Sequence, residues 1–127
     1  MKQNKIYVAS PYSGTNEEQK QRYKDICEAT GHLKYLFPPP EYIFFSPIAH
    51  SHGIASYGKH SGTHKTWIHE NYSWIEWCTE LWVVMLDGWD KSKGVIWEIN
   101  TANELKKNIK YYKTIPFKTL LNVKHDN

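Results

Sequence analysis

The chain has 127 residues, 40% of them hydrophobic and 23% charged, with a net charge of +3. That length is one domain's worth and the composition is globular, which excludes a disordered or fibrous polypeptide. The charge is mild and no run of five or six basic residues occurs, so a groove for a nucleic-acid polymer is not indicated, while a phosphorylated small molecule remains compatible.

Residues 5–9 (K-I-Y-V-A) read as a first buried strand, ended by Ser10-Pro11. Thr15 and Glu18 have capping-box spacing and predict a helix running to about Phe37. Its apolar stripe is Tyr23, Ile26, Cys27, Thr30, Leu33 and Phe37, and Pro38-Pro39-Pro40 stops it. Residues 43–45 are a second short strand. Residues 46–62, rich in His, Ser and Gly, read as a loop with at most one helical turn, and so long an irregular stretch is usually functional. Residues 65–78 form a second long helix, with Trp67, Asn71, Trp74, Ile75 and Cys78 on one face. Residues 80–86 (E-L-W-V-V-M-L) are apolar throughout their centre, as a strand covered on both faces should be. A third helix spans about 92–107 and a last short strand 108–112. Residues 113–127 read as a polar, basic tail with an apolar patch, 117–123, taken as a short helix.

This order predicts an α/β fold: a single Rossmann-like (flavodoxin-like) domain, with a small parallel sheet of four to five strands and helices on both faces. The core would occupy about residues 5–112. Cys27 and Cys78 lie on apolar helical stripes and read as free thiols in a reducing compartment. No apolar stretch approaches the roughly 20 residues of a membrane span, and the first residues do not read as a signal peptide, so a cytoplasmic location without a membrane partner is expected. The six Trp and nine Tyr suit a core, a ligand cleft or a subunit interface.

In such sheets ligands bind outside the carboxyl ends of the strands. Three segments fall there: 10–14, 46–52 and 87–94. In the last, Ser92, Gly94 and the first N–H groups of the helix suit an anion, or Ser92 or Asp90 is an ordinary N-cap. Glu98 shares a helical face with Val95, Ala102 and Leu105, which should pack on the sheet. A carboxylate there costs several kcal/mol unless it has partners or a task; the alternative is a half-exposed Glu that complements the helix dipole. Tyr12, Ser13 and Gly14 either touch a ligand or form a turn. His50 and His52, with His60, His64 and His69, lack a Cys pair or an H-E-x-x-H spacing, so no metal is expected, and a role against the ligand suits His50 and His52 better. No G-x-G-x-x-G, Walker loop or G-x-S-x-G elbow occurs, and no cofactor is expected.

Together, I-Y-V-A-S-P-Y-S-G (6–14), W-I-E-W-C-T-E-L-W-V-V-M-L-D-G (74–88) and S-K-G-V-I-W-E-I-N-T-A (92–102) resemble the nucleoside 2-deoxyribosyltransferase-like superfamily. Within it, F-S-P-I-A-H-S-H (45–52) and L-W-V-V-M-L-D-G-W-D (81–90) look like a small family found in bacteriophages and bacteria. The resemblance covers about residues 5–112.

It implies that Glu98 attacks C1′ of the sugar of a (deoxy)nucleoside 5′-monophosphate, as an N-glycosidase or a deoxyribosyltransferase. It also implies that Ser92 contacts the 5′-phosphate, that Tyr12, Ser13 and Gly14 meet the substrate, and that the protein is a homodimer or a higher homo-oligomer. Two positions depart from the pattern. Asn71 stands where relatives usually carry an Asp that positions the sugar and moves a proton, and an amide has no titratable proton to give. Thr79 replaces another Asp, at a position read as structural. Because of Asn71, either Asp87 or Glu70 substitutes as the acid, or solvent protonates the base, or the protein is a non-catalytic nucleotide-binding sensor or sponge.

Overall fold

A computed structural model describes the backbone of residues 2–61, 63–115 and 119–123, and side chains as far as Lys113. The elements run β1 (Asn4–Ala9), α1 (Asn16–Leu36), β2 (Tyr42–Phe45), α2 (Pro47–Tyr57), α3 (His64–Trp77), β3 (Glu80–Val84), α4 (Lys93–Glu104), β4 (Asn108–Ile115) and β5 (Thr119–Val123). A single 3-10 turn, Trp89–Lys91, precedes α4.

The strands form one sheet in the order β2-β1-β3-β4-β5. The first four are parallel and β5 runs antiparallel to β4. β1 is the switch point, because it pairs with β2 on one side and β3 on the other. Strand alternation then sorts the core into two layers. Ile6, Val8, Trp82 and Val84 pack against Ile26, Ala29 and Leu33 of α1. Tyr7, Ala9, Leu81 and Val83 pack against Ile75 of α3 and Val95 and Ala102 of α4. The α/β architecture is therefore the expected one, with helices on both faces.

Local signals explain several boundaries. Thr15 caps α1 with a full capping box, accepting from the Glu18 N–H while the Glu18 carboxylate accepts from the Thr15 N–H. Thr79 ties β1 to the start of β3: its hydroxyl donates to the Lys5 carbonyl and accepts from the Lys5 N–H, at 3.1 and 2.9 Å. That is the structural role expected of this position.

Two expectations need correction. Residues 46–62 are not mainly loop, because α2 occupies eleven of them. Ser46 caps it by accepting from the Ala49 N–H, and Pro47 at the first helical position has its φ preset for the helix. The second concerns the tail. β4 extends to Ile115 and residues 119–123 form a strand rather than a helix, because the edge of β4 offers unpaired N–H and C=O groups that β5 satisfies. Phe117 and residues 124–127 lie outside the described residues. Among the described residues no helix is long and apolar enough to cross a membrane, and Cys27 and Cys78 are free thiols.

Candidate functional site

β1 and β3 end side by side, and the chain leaves them towards opposite layers. A cleft opens at those ends, lined by residues from four segments of the chain. The turn after β1 supplies Ser10, Tyr12 and Ser13. α2 supplies Pro47, Ile48, Ser51, His52 and Ala55, the N-terminal half of α3 and its cap supply Thr63, His64, Trp67 and Asn71, and the N-terminal half of α4 and its cap supply Ser92, Gly94 and Glu98.

Glu98 is 6% exposed, one turn into α4, on the buried face it shares with Val95, Thr101 and Ala102. Tyr7 points into the same layer from β1, and its phenol donates a hydrogen bond to Oε2 of Glu98. Burial raises the Glu98 carboxyl from its ordinary 4.5 to about 8, and the Tyr7 hydrogen bond opposes that rise. Burial, followed by the Glu98 charge, holds the Tyr7 hydroxyl well above its ordinary 10.0. Tyr7 thus keeps its proton across the working range and stays a donor.

Ser10 is 5% exposed, and its hydroxyl has no hydrogen-bond partner among the described residues although the residue lines the cleft. A buried hydroxyl left unpaired costs about 1–3 kcal/mol, a cost that a polar ligand group in the cleft would remove. Ser92 caps α4, its hydroxyl accepting from the Val95 N–H at 3.3 Å. The cap and the place on the cleft wall therefore coexist in one residue.

On the α2 side, the Tyr12 hydroxyl lies 2.7 Å from Nδ1 of His52, and the His52 ring stacks on Tyr23 at 4.2 Å. Arg22 joins two of the strand-end segments, donating to the carbonyls of Ser13 at 2.7 Å and Asp87 at 3.4 Å. Gly88, at φ +83°, completes the turn after β3, and a side chain there would press on the Arg22 guanidinium.

The structure brings Glu98, Asn71, Tyr12, Ser13, His52, Ser92 and Gly94 onto one cleft. Gly14, His50, Asp87 and Glu70 are not among its lining residues. His50 is exposed against Phe45. Because α2 is helical, His50 and His52 point about 200° apart around its axis rather than side by side. Asp87 is exposed and meets Arg22 through its carbonyl, not its carboxylate. Among the described residues, no three His, Cys, Asp or Glu side chains gather where a metal ion could sit.

Residues 4–114 match the family model described as a domain of unknown function, DUF1937. The chain belongs to the DUF1937 family. Two solved structures share the fold of this DUF1937 member. One is a 2-deoxyribosyltransferase from the psychrotolerant bacterium Bacillus psychrosaccharolyticus, with TM-score 0.54 and 23% identity, covering 86% of this chain and 72% of that one. The other is a 2-desoxiribosyltransferase from Leishmania mexicana, with TM-score 0.55 and 14% identity, covering 88% of this chain and 65% of that one. The DUF1937 chain thus has a nucleoside 2-deoxyribosyltransferase-like fold and spans just under two thirds of the Leishmania protein. No curated protein matches its sequence.

Tyr7, Ser10, His64 and Trp67 were not singled out as site residues from the sequence. Tyr7 had a signal: a phenol inside a strand covered on both faces needs a hydrogen-bond partner. Trp67 had one too, because it lies four residues before Asn71 on the same helical face. Ser10 had none beyond its place at a strand end.

Proposed function

We propose that this protein is an N-glycosidase or deoxyribosyltransferase acting on a (deoxy)nucleoside 5′-monophosphate, with Glu98 as the nucleophile. The observation that carries this reading is the buried Glu98 carboxyl, on the wall of a cleft at the strand ends and held by Tyr7. A carboxylate on an apolar helix face has few structural uses, and a poised one suits attack at an anomeric carbon. The fold shared with two deoxyribosyltransferases agrees, and the Bacillus enzyme is described as a biocatalyst for nucleoside synthesis.

In this mechanism a Glu98 carboxylate oxygen bonds to C1′, and the C1′–N bond breaks with its electron pair leaving on the base. The base takes a proton, and the sugar is held as an ester of Glu98. Water or a second base then attacks C1′ and frees Glu98. Asn71 hydrogen-bonds a sugar hydroxyl through its amide. Ser92, Gly94 and Ser13 meet the phosphate near the α4 N-terminus, where helix N–H groups favour an anion. The orphaned Ser10 hydroxyl supports a polar ligand group beside them.

Incubation with a panel of nucleoside 5′-monophosphates, followed by chromatography for free base, tests the reading. Release by the unmodified protein and loss of roughly 10³-fold or more in Glu98→Ala are expected. Absence of any cleaved nucleotide, or equal cleavage by Glu98→Ala, sinks it. Asn71 favours a second reading, a sensor or sponge that binds a nucleotide without turning it over, which predicts tight binding with no product. A homo-oligomer in the cytoplasm completes the proposal, and elution as a monomer in light scattering would contradict the first part of it.

A further inference from the structure

Of the six tryptophans, five are packed against another aromatic ring. Trp74 stacks on Phe45 and meets Trp77 edge-on. Trp82 sits among Phe37, Tyr42, Phe44 and Tyr112. Trp89 packs on Tyr111 and Trp97 on His64. Trp67 differs. It lines the cleft and, among the described residues, makes no contact with another aromatic ring. Its indole N–H donates to the Ser61 carbonyl at 2.8 Å. That bond ties down the polar edge of the ring.

The position along α3 gives the indole a partner. Trp67 and Asn71 are four residues apart, one turn along the same face, and both line the cleft with Glu98. A sugar held by Asn71 with C1′ at Glu98 has its base attached at that same carbon. One helical turn away stands a flat indole, and His64 and Thr63, which line the same cleft, carry ring nitrogens and a hydroxyl that can meet polar base edges.

We infer that Trp67 is the stacking platform for the nucleobase, so that the cleft selects ligands carrying a flat aromatic heterocycle on C1′ over the bare sugar phosphate. This rests on the nucleotide reading above and adds to it the side of the cleft on which the base lies. Stacking on an indole is tolerant of base identity. The platform therefore distinguishes base from no base, and the polar neighbours at the α3 N-terminus are left to distinguish among bases.

The test is binding, so that it does not depend on turnover. Calorimetry on full-length protein carrying Glu98→Gln compares 2′-deoxyadenosine 5′-monophosphate with 2-deoxyribose 5-phosphate, which has no base. Adding Trp67→Ala should weaken the nucleotide roughly 5- to 150-fold, the range a stacked base contributes. The sugar phosphate should stay within about twofold, a difference too small to reflect a lost contact. Trp67→Phe, which keeps a ring and perturbs the helix less, should recover most of the nucleotide affinity. If Trp67→Ala leaves nucleotide binding unchanged, or weakens both ligands equally, the platform is overturned while the nucleotide reading stands. If neither the sugar phosphate nor any of the four common 2′-deoxynucleoside 5′-monophosphates binds, both are overturned.

Discussion

Tyr7 on β1 and Glu98 on α4 lie 91 residues apart in sequence and share one buried hydrogen bond, with the phenol donating to the carboxylate. The bond lowers the Glu98 carboxyl, while the larger effect, burial, raises it to about 8. In the proposed reaction the attacking form is the carboxylate, so base release should climb with pH towards that value. Tyr7→Phe removes the opposing hydrogen bond without adding polarity. The midpoint of the pH profile of kcat/KM should then move up by about one to two pH units, the worth of a ~1.5–3 kcal/mol bond to a charged group. A profile identical to that of the unmodified protein would show that Tyr7 is only a packing residue.

The same carboxyl is a stability liability. Its pKa is raised on folding, from an ordinary 4.5 to about 8, so the folded protein holds the proton more tightly than the unfolded one. The stability linked to that proton is fully present below about pH 4.5 and is lost as pH rises through 8. Glu98→Gln keeps the shape, and its amide oxygen can still accept from Tyr7, without the titration. It should therefore be more stable than the unmodified protein at pH 9, by at most about 5 kcal/mol, and the gap should close towards pH 5. Thermal melts across that range measure it. A constant gap would mean that Glu98 is not the titrating group.

Asn71 lines the cleft where the resemblance leads one to expect a carboxylic acid. Neither Asp87 nor Glu70 lines it, so neither carboxylic acid stands at the cleft wall in its place. Asn71→Asp supplies an acid at the same place. Positioned proton transfer contributes roughly 10²–10⁴-fold, so kcat for base release should rise by about two orders of magnitude on the acidic side of the profile, where the new group is protonated. An unchanged kcat would show that proton delivery does not limit the reaction.

Much of this was legible in the sequence, for reasons that differ by element. The capping box at Thr15, the apolar run of β3 and the proline stop after Phe37 are local signals, and the structure follows them. α2 was hidden because His50, Ser51, His52 and Gly53 make no apolar stripe; the marks that mattered were the Ser46 cap and Pro47. β5 was hidden because its adjacent Leu120 and Leu121 break strand alternation, and its pairing comes from the distant edge of β4. At the site, Glu98 stood out as a charge on an apolar face. Its partner Tyr7 did not, since strand order alone brings the two together. For His50 and Asp87, proximity to strand ends could be read, but side-chain direction depends on backbone geometry that spacing does not contain.

Ser92 has two roles to separate, because its hydroxyl already caps α4. Ser92→Ala removes both and should cost about 0.5–2 kcal/mol in stability, as loss of an N-cap does, so weaker binding in that variant is ambiguous. Ser92→Asp separates them. Aspartate caps as well as serine and suits the helix dipole, so the melting temperature should hold or rise. Its negative charge, however, would face a phosphate in the cleft. If the 5′-phosphate lies at Ser92, the dissociation constant for a nucleoside monophosphate should rise about tenfold or more, the effect of ~1.4 kcal/mol of repulsion. The corresponding nucleoside, which lacks the phosphate, should bind unchanged. Equal effects on both ligands would move the phosphate away from Ser92 and leave it as a helix cap alone.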